Sequence, residues 1–282
     1  MDIWIPTMHS FSELAHSRTK DISNIQLYRT FGIERLFQLL SEKKLALLEP
    51  SKWDDPYERA LQNLVTSDNP EGRPGVFGLC WTTQARSDAL WRIYSPTKLG
   101  VRISTTVGRL YEALVSNTRD NIKPENLFLG RVSYLPERSS KGMPFDFGKF
   151  ALGLIEQDFR RPISNIADAI EDMIATDPST PRDVAKALYL KRTPFDHEKE
   201  VRLLYVDMDI SAEAVFRTNG VMKLDLDPFS LIRGIQFDPR VSDDIYEALK
   251  SSVKSVLGSR PIRISKSSLY KDPMQILSAK KK

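Results

Sequence analysis

Cysteine is nearly missing from this chain: its 282 residues include one, Cys80, alongside three histidines, His9, His16 and His197. A single thiol closes no intramolecular disulfide and supports no cysteine-based zinc site. The histidines are scattered without metal-ligand spacing, and Cys80 stands inside an apolar run, as a core thiol would. No apolar stretch reaches the roughly 18 residues of a membrane span. Met1-Asp2-Ile3-Trp4-Ile5 carries no signal-peptide pattern. Glycine-rich phosphate loops of the Walker or Rossmann kind are absent, as is a Gly-x-Ser-x-Gly elbow. Charge of one sign is also lacking: 41 basic residues face 37 acidic ones, and part of the net +4 sits in the terminal Lys280-Lys281-Lys282. The expectation is a soluble, cytoplasmic protein with no membrane contact and no metal.

What is present is enough apolar residue, 41%, for a real core. Residues 1–24 read as a polar N-terminal arm. Strand-like stretches fall at 26–30, 45–48, 77–83, 100–104, 127–135, 198–206, 221–226, 231–237 and 261–265. Helical spacing covers 32–44, 88–94 behind a possible Ser87 cap, 106–117 and 242–257. A long, mainly helical segment at 147–192 is broken near Thr176 to Pro181. Residues 51–56 and 67–75 are turn-rich loops, with Asp54 and Asp55 read as capping carboxylates rather than a metal pair. Strands and helices mix without βαβ regularity and no repeat is visible, so the fold class is α+β with a mixed, largely antiparallel sheet. The expected organisation is one domain over 25–270 with a helical insertion at about 147–192, and a basic tail at 271–282.

The chemistry-bearing stretch is His197-Glu198-Lys199-Glu200-Val201-Arg202-Leu203-Leu204-Tyr205-Val206. Residues i and i+2 of a strand share a face, so Glu198 and Glu200 are expected together at a strand entrance. There one carboxylate can steer a nucleophile and the other stabilise a developing positive charge. The plain alternative is a solvated edge-strand face with Lys199 and Arg202 as surface partners. Trp91 and Tyr94 lie three apart on the helix expected at 88–94 and so share a face, with Tyr94 a candidate for stacking on a flat ring.

The order of motifs resembles the bacterial domain-of-unknown-function family DUF 2971. Leu27-Tyr28-Arg29 is followed by Trp53-Asp54-Asp55-Pro56-Tyr57-Glu58, then Cys80-Trp81-Thr82-Thr83. Ser87 to Tyr94, Gly100-Val101-Arg102-Ile103 and the Glu198-Lys199-Glu200-Val201-Arg202 strand complete the series. The likeness covers about residues 25–240. It departs at Trp81-Thr82, where the family has Phe-Ser.

More remotely, the order Tyr-Arg, Ser/Thr strand, Glu-x-Glu is similar to the Arg-Ser-Glu class of ADP-ribosyltransferases. That resemblance implies an ADP-ribosyltransferase-like fold with NAD as substrate. It implies Arg29 on the NAD phosphate and ribose, beside Tyr28, and Thr82 and Thr83 bracing the pocket, with Trp91 and Tyr94 lining or flooring it. Glu200 would bond the ribose next to nicotinamide and Glu198 would position an acceptor. Cleavage of the glycosidic bond builds oxocarbenium character, which a carboxylate stabilises, and guanidinium is a natural bidentate partner for pyrophosphate. The implied function is an NAD-consuming transferase or glycohydrolase, a bacterial toxin or phage-defence effector. Its acceptor would be a macromolecule, protein or nucleic acid. The alternative is a catalytically silent nucleotide-binding sensor or interaction module of a defence system. Sequence leaves the oligomeric state open.

Overall fold

The computed structural model describes residues 8–16, 20–59, 74–115, 123–135, 180–209 and 219–272. Most of the loop expected at 67–75, most of the helical insertion at 147–192, and nearly all of the basic tail lie outside these residues. Twelve strands occur among the described residues. They are β1 (His9–Ser10), β2 (Gln26–Gly32), β3 (Lys44–Leu48), β4 (Gly75–Thr82), β5 (Gly100–Thr106) and β6 (Leu127–Arg131). The others are β7 (Ser133–Leu135), β8 (Leu190–Arg192), β9 (Glu200–Asp207), β10 (Val221–Asp225), β11 (Gly234–Phe237) and β12 (Arg263–Lys266). With the helices between them they make an α+β protein with largely antiparallel strands, as expected from the mixed order of elements.

The chain divides into two compact units. One comprises 1–18, 46–81 and 120–223; the other comprises 19–45, 82–119 and 224–282. In the first unit, β1 runs antiparallel to β6 and β6 antiparallel to β9, with β4 on the other side of β9. All eight residues of β9 are buried, so this strand is covered on both faces and is no edge. Its apolar run Leu203-Leu204-Tyr205-Val206 makes that possible, because no polar residue there has to face water. Leu204 and Val206 pack with Val76, Phe128, Val184, Leu188 and Tyr189 in one core cluster. Gly78 of β4 admits Trp53: a Cβ there would lie 2.5 Å from the indole and 2.8 Å from Leu204. The stretch read from sequence as a polar arm supplies β1 and the fully buried Phe11.

In the second unit β2 and β5 pair antiparallel, β5 and β11 antiparallel, and β11 and β12 parallel. Thr82, the last residue of β4, belongs to this unit and pairs with Tyr28. The helix Ile33–Glu42 buries Leu36, Leu39 and Leu40, the face its periodicity marks. It ends at Lys43 in the left-handed region (φ 54°), whose N–H donates to the Leu39 carbonyl. The helix Asp88–Tyr94 starts as the sequence indicates, with the Ser87 hydroxyl accepting from the Leu90 N–H at 3.3 Å. The helix Asp243–Leu257 buries Val253 and Leu257, and Phe237 meets Tyr246 edge-on at 5.4 Å.

Several element boundaries differ from expectation. The stretch 127–135 is two strands, interrupted at Val132. Residues 190–192 are strand rather than helix, because Leu190 to Arg192 pair with β7. The start of the strand expected at 231–237 is the end of a short helix, Pro228–Leu231, capped by Asp227. Among the described residues no helix is long and apolar enough to cross a membrane.

Candidate functional site

Glu198 and Glu200 do converge, but not by sharing a strand face. Glu198 closes a 3-10 helix, Thr193–Glu198, Lys199 turns the chain in the left-handed region (φ 42°), and Glu200 opens β9. The turn brings both carboxylates onto one cation: Lys191 Nζ donates to Glu198 Oε2 at 2.6 Å and to Glu200 Oε2 at 3.2 Å. Lys191 comes from β8, the segment that periodicity assigned to a helix.

Arg202 is not a surface partner. It is completely buried and shares a β9 face with Glu200, two residues away. Its Nε donates to Glu200 Oε1 at 3.3 Å and its Nη2 to Glu200 Oε2 at 2.9 Å. It also donates to Glu58 and to the Leu188 carbonyl, and its guanidinium stacks 4.6 Å from the Trp53 ring centroid. Lys199, by contrast, is exposed and pairs with Asp196 at 3.1 Å. Tyr134 accepts the Glu200 N–H at 2.8 Å. Asp55 forms a second pair beside this cluster: it accepts from Arg192 Nη2 at 2.8 Å and caps the Tyr57 N–H at 3.0 Å. The capping role read for it from sequence is therefore present. Arg192 in turn lies 4.2 Å over the Tyr57 ring.

The cluster holds three carboxylates, Glu58, Glu198 and Glu200, against two cations, Lys191 and Arg202. Burial works against every charge in it. At Glu200 the opposing cations, Arg202 first and then Lys191, outweigh burial and bring the pKa down to about 2. At Glu58 burial wins, and its pKa is raised although Arg202 and Lys191 oppose the change. Burial is likewise outweighed at Lys191 and Arg202, whose pKa values rise beside Glu200 and Glu58. Cys80 joins the network through a hydrogen bond with Glu200, and desolvation holds its thiol protonated. Two carboxyls with oppositely displaced pKa values thus stand in one buried constellation, an arrangement that separates acid from base roles in enzymes.

The remaining expected site residues lie in the other unit. Tyr28 and Arg29 are adjacent on β2 and so point to opposite faces. The Arg102 guanidinium lies 5.1 Å over the Tyr28 ring and 5.5 Å over the Trp91 ring, which joins Tyr28 and Trp91 through a residue not singled out beforehand. Arg29 instead lies 5.1 Å over Phe31. Thr82 is buried, and its hydroxyl accepts the Gln84 N–H at 3.0 Å, while Thr83 is half-buried. Trp91 lines a small cavity with Ala85, Arg86, Arg102, Gln236 and residues 267–269. Tyr94 is 42% exposed and forms no part of that wall.

Lys191, Glu58, Arg202 and Arg102 are the members sequence reasoning did not single out as site residues. Arg202, Arg102 and Glu58 had a usable signal, since all three stand within the recurring motifs. Lys191 had none: its role depends on a β8–β7 pairing that local periodicity does not reveal.

No family model matches the chain, and no curated protein matches it. Solved structures of DarT from Thermus sp. 2.9 do. The DarT complex with NAD+ shares 14% identity, covering 86% of this chain and 95% of that one, at a TM-score of 0.33. The DarT complex with ADP-ribosylated ssDNA shares 13%, covering 86% and 94%, at 0.34. At these identities and TM-scores they assign no role to any residue here.

Proposed function

We propose that this protein is an NAD-consuming, ADP-ribosyltransferase-like enzyme in which Glu200 supplies the carboxylate that faces developing positive charge. One observation carries it. Glu200 is ionised at any physiological pH, pinned through both carboxylate oxygens by Arg202 and Lys191, while Glu58 beside it has a raised pKa. A glycosidic bond that breaks with oxocarbenium character calls for such a fixed negative charge, and a second carboxyl with a higher pKa can carry a proton. NAD as substrate rests on the order of Tyr28-Arg29, Thr82-Thr83 and Glu198-Lys199-Glu200. Glu198, at the mouth of the turn before β9, is assigned the positioning of an acceptor, a protein or a nucleic acid. A role as toxin or phage-defence effector belongs to the same proposal.

A second proposal is a nucleotide-binding sensor without turnover. It is favoured by the occupancy of Glu200: it is 5% exposed, with both oxygens already bonded to cations. Incubation of the pure protein with NAD, with and without cell extract, followed by measurement of nicotinamide release, separates the two. Release abolished by Glu200→Gln supports the enzyme. NAD binding without release at any protein concentration supports the sensor, and absence of both removes NAD from the function.

A further inference from the structure

We propose that the second unit contains a binding site for a single tetrahedral oxyanion, the terminal phosphate of a small molecule, formed by Arg86, Arg102, Gln236 and the Ser267–Ser268 segment. These residues, with Ala85, Trp91 and Leu269, line a cavity of about 100 Å³. That is room enough for a phosphate group.

The charge of the lining sets what enters. Arg86 and Arg102 are both guanidiniums, and among the described residues neither has a carboxylate partner. Arg86 contacts only the Ser268 hydroxyl, at 3.4 Å, and Arg102 contacts the Gln236 carbonyl oxygen at 2.5 Å and the faces of Tyr28 and Trp91. The carboxylate nearest in sequence, Asp88, is engaged elsewhere, with Arg92 Nε at 2.7 Å and with the Tyr270 hydroxyl. Arg102 is held half-buried, where desolvation lowers its pKa; Tyr28 opposes the change and the proximity of Arg86 adds to it. A half-buried Arg102 beside a second guanidinium costs free energy, and an anion between the two offsets it.

The donors suit a tetrahedral ligand. Each guanidinium presents a planar fork, which matches phosphate oxygens in pairs. Arg102 takes the carbonyl oxygen of Gln236, so the amide nitrogen of that side chain is left as a donor, and Ser267 and Ser268 add hydroxyls. The scaffold is rigid, since Arg102 and Gln236 face each other in register across β5 and β11. The wall at 267–269 is tied to β11 by the Ser267 N–H donating to the Phe237 carbonyl at 3.0 Å.

The experiment is calorimetric titration of the full chain with inorganic phosphate and AMP, for the wild type, Arg86→Gln and Arg102→Gln, with Arg92→Gln as a control outside the cavity. Wild-type binding of phosphate or AMP is expected to weaken at least about tenfold in both cavity variants and to hold in the control, as loss of a charge-assisted bond requires. Tight binding of inorganic phosphate identifies the free ion as ligand; tight binding of AMP alone identifies a phosphate monoester. The absence of phosphate and AMP binding in the wild type, or undiminished binding in folded Arg86→Gln, would each overturn the proposal. Arg86 is exposed, so its replacement tests the site even if Arg102→Gln fails to fold. The outcome is independent of nicotinamide release, so either proposal can fail without the other.

Discussion

Replacing Arg202 with methionine should be among the most damaging single substitutions in the chain. Methionine keeps an unbranched apolar stem but removes the guanidinium, and with it the stacking on Trp53 and every polar bond. Arg202 is fully buried and donates to Glu200 twice, to Glu58 and to the Leu188 carbonyl. Those acceptors remain buried in the variant: Glu58 is 4% and Glu200 5% exposed. Removing one partner of a buried ion pair costs about 3–5 kcal/mol, because the other charge is left uncompensated. Lys191 still reaches Glu200 at 3.2 Å, so the lower half of that range is expected at neutral pH. The pH dependence gives a sharper signature. In the wild type the Glu200 pKa of about 2 lies below its ordinary 4.5, so its stabilisation is present above pH 4.5 and is lost as pH falls toward 2. Without Arg202 the carboxyls of Glu200 and Glu58 rise, and each then favours folding only below its raised folded-state pKa. The stability gap to the wild type should therefore narrow between about pH 7.5 and about pH 5. Urea unfolding followed by circular dichroism at both pH values measures it. A gap under about 1 kcal/mol at the higher pH, or one that does not change with pH, would refute the uncompensated-charge account. Adding Glu200→Gln to the variant should recover part of the loss, as the buried charge goes with it.

Other predictions follow from the same geometry. If NAD is cleaved, Glu200→Gln should lower kcat about 10²-fold or more while leaving the NAD dissociation constant nearly unchanged, because the charge it faces exists only in the transition state; equal losses in both would contradict this. Glu198→Gln should impair transfer to an acceptor and spare NAD hydrolysis, as seen by comparing labelled product with free nicotinamide. Gly78→Ala should destabilise the first unit by about 1–3 kcal/mol in chemical unfolding, because the added methyl meets Trp53 and Leu204 inside contact distance. Ser87→Ala should cost about 1 kcal/mol through the lost cap on the helix Asp88–Tyr94, and Ser87→Asp should restore most of it.

Local chemistry made much of this protein legible without coordinates. The β2, β4 and β5 stretches announce themselves through apolar and β-branched runs, and the helices 33–42 and 243–257 through periodicity and their ends. Ser87 caps its helix because a hydroxyl three residues before an amide acts within one turn, whatever the rest of the chain does. Glu198 and Glu200 were identifiable as a pair, but the reason they meet was not: it is a left-handed turn at Lys199 rather than strand alternation. Tertiary structure alone decided the partners. Arg202 and Lys199 look alike in sequence as neighbours of Glu200, yet one is buried in β9 and the other is exposed. That choice depends on whether β9 is central or an edge, which is set by strands contributed from 127–131 and 75–81. Lys191 reaches Glu200 only because β8 lies beside β7, 57 residues earlier by the register of Tyr134 with Lys191. Arg86, Arg102 and Gln236 share a cavity wall only because β5 and β11 pair across more than a hundred residues. Periodicity reports the faces of single elements, and ion pairs formed over such separations are settled by which elements pack together.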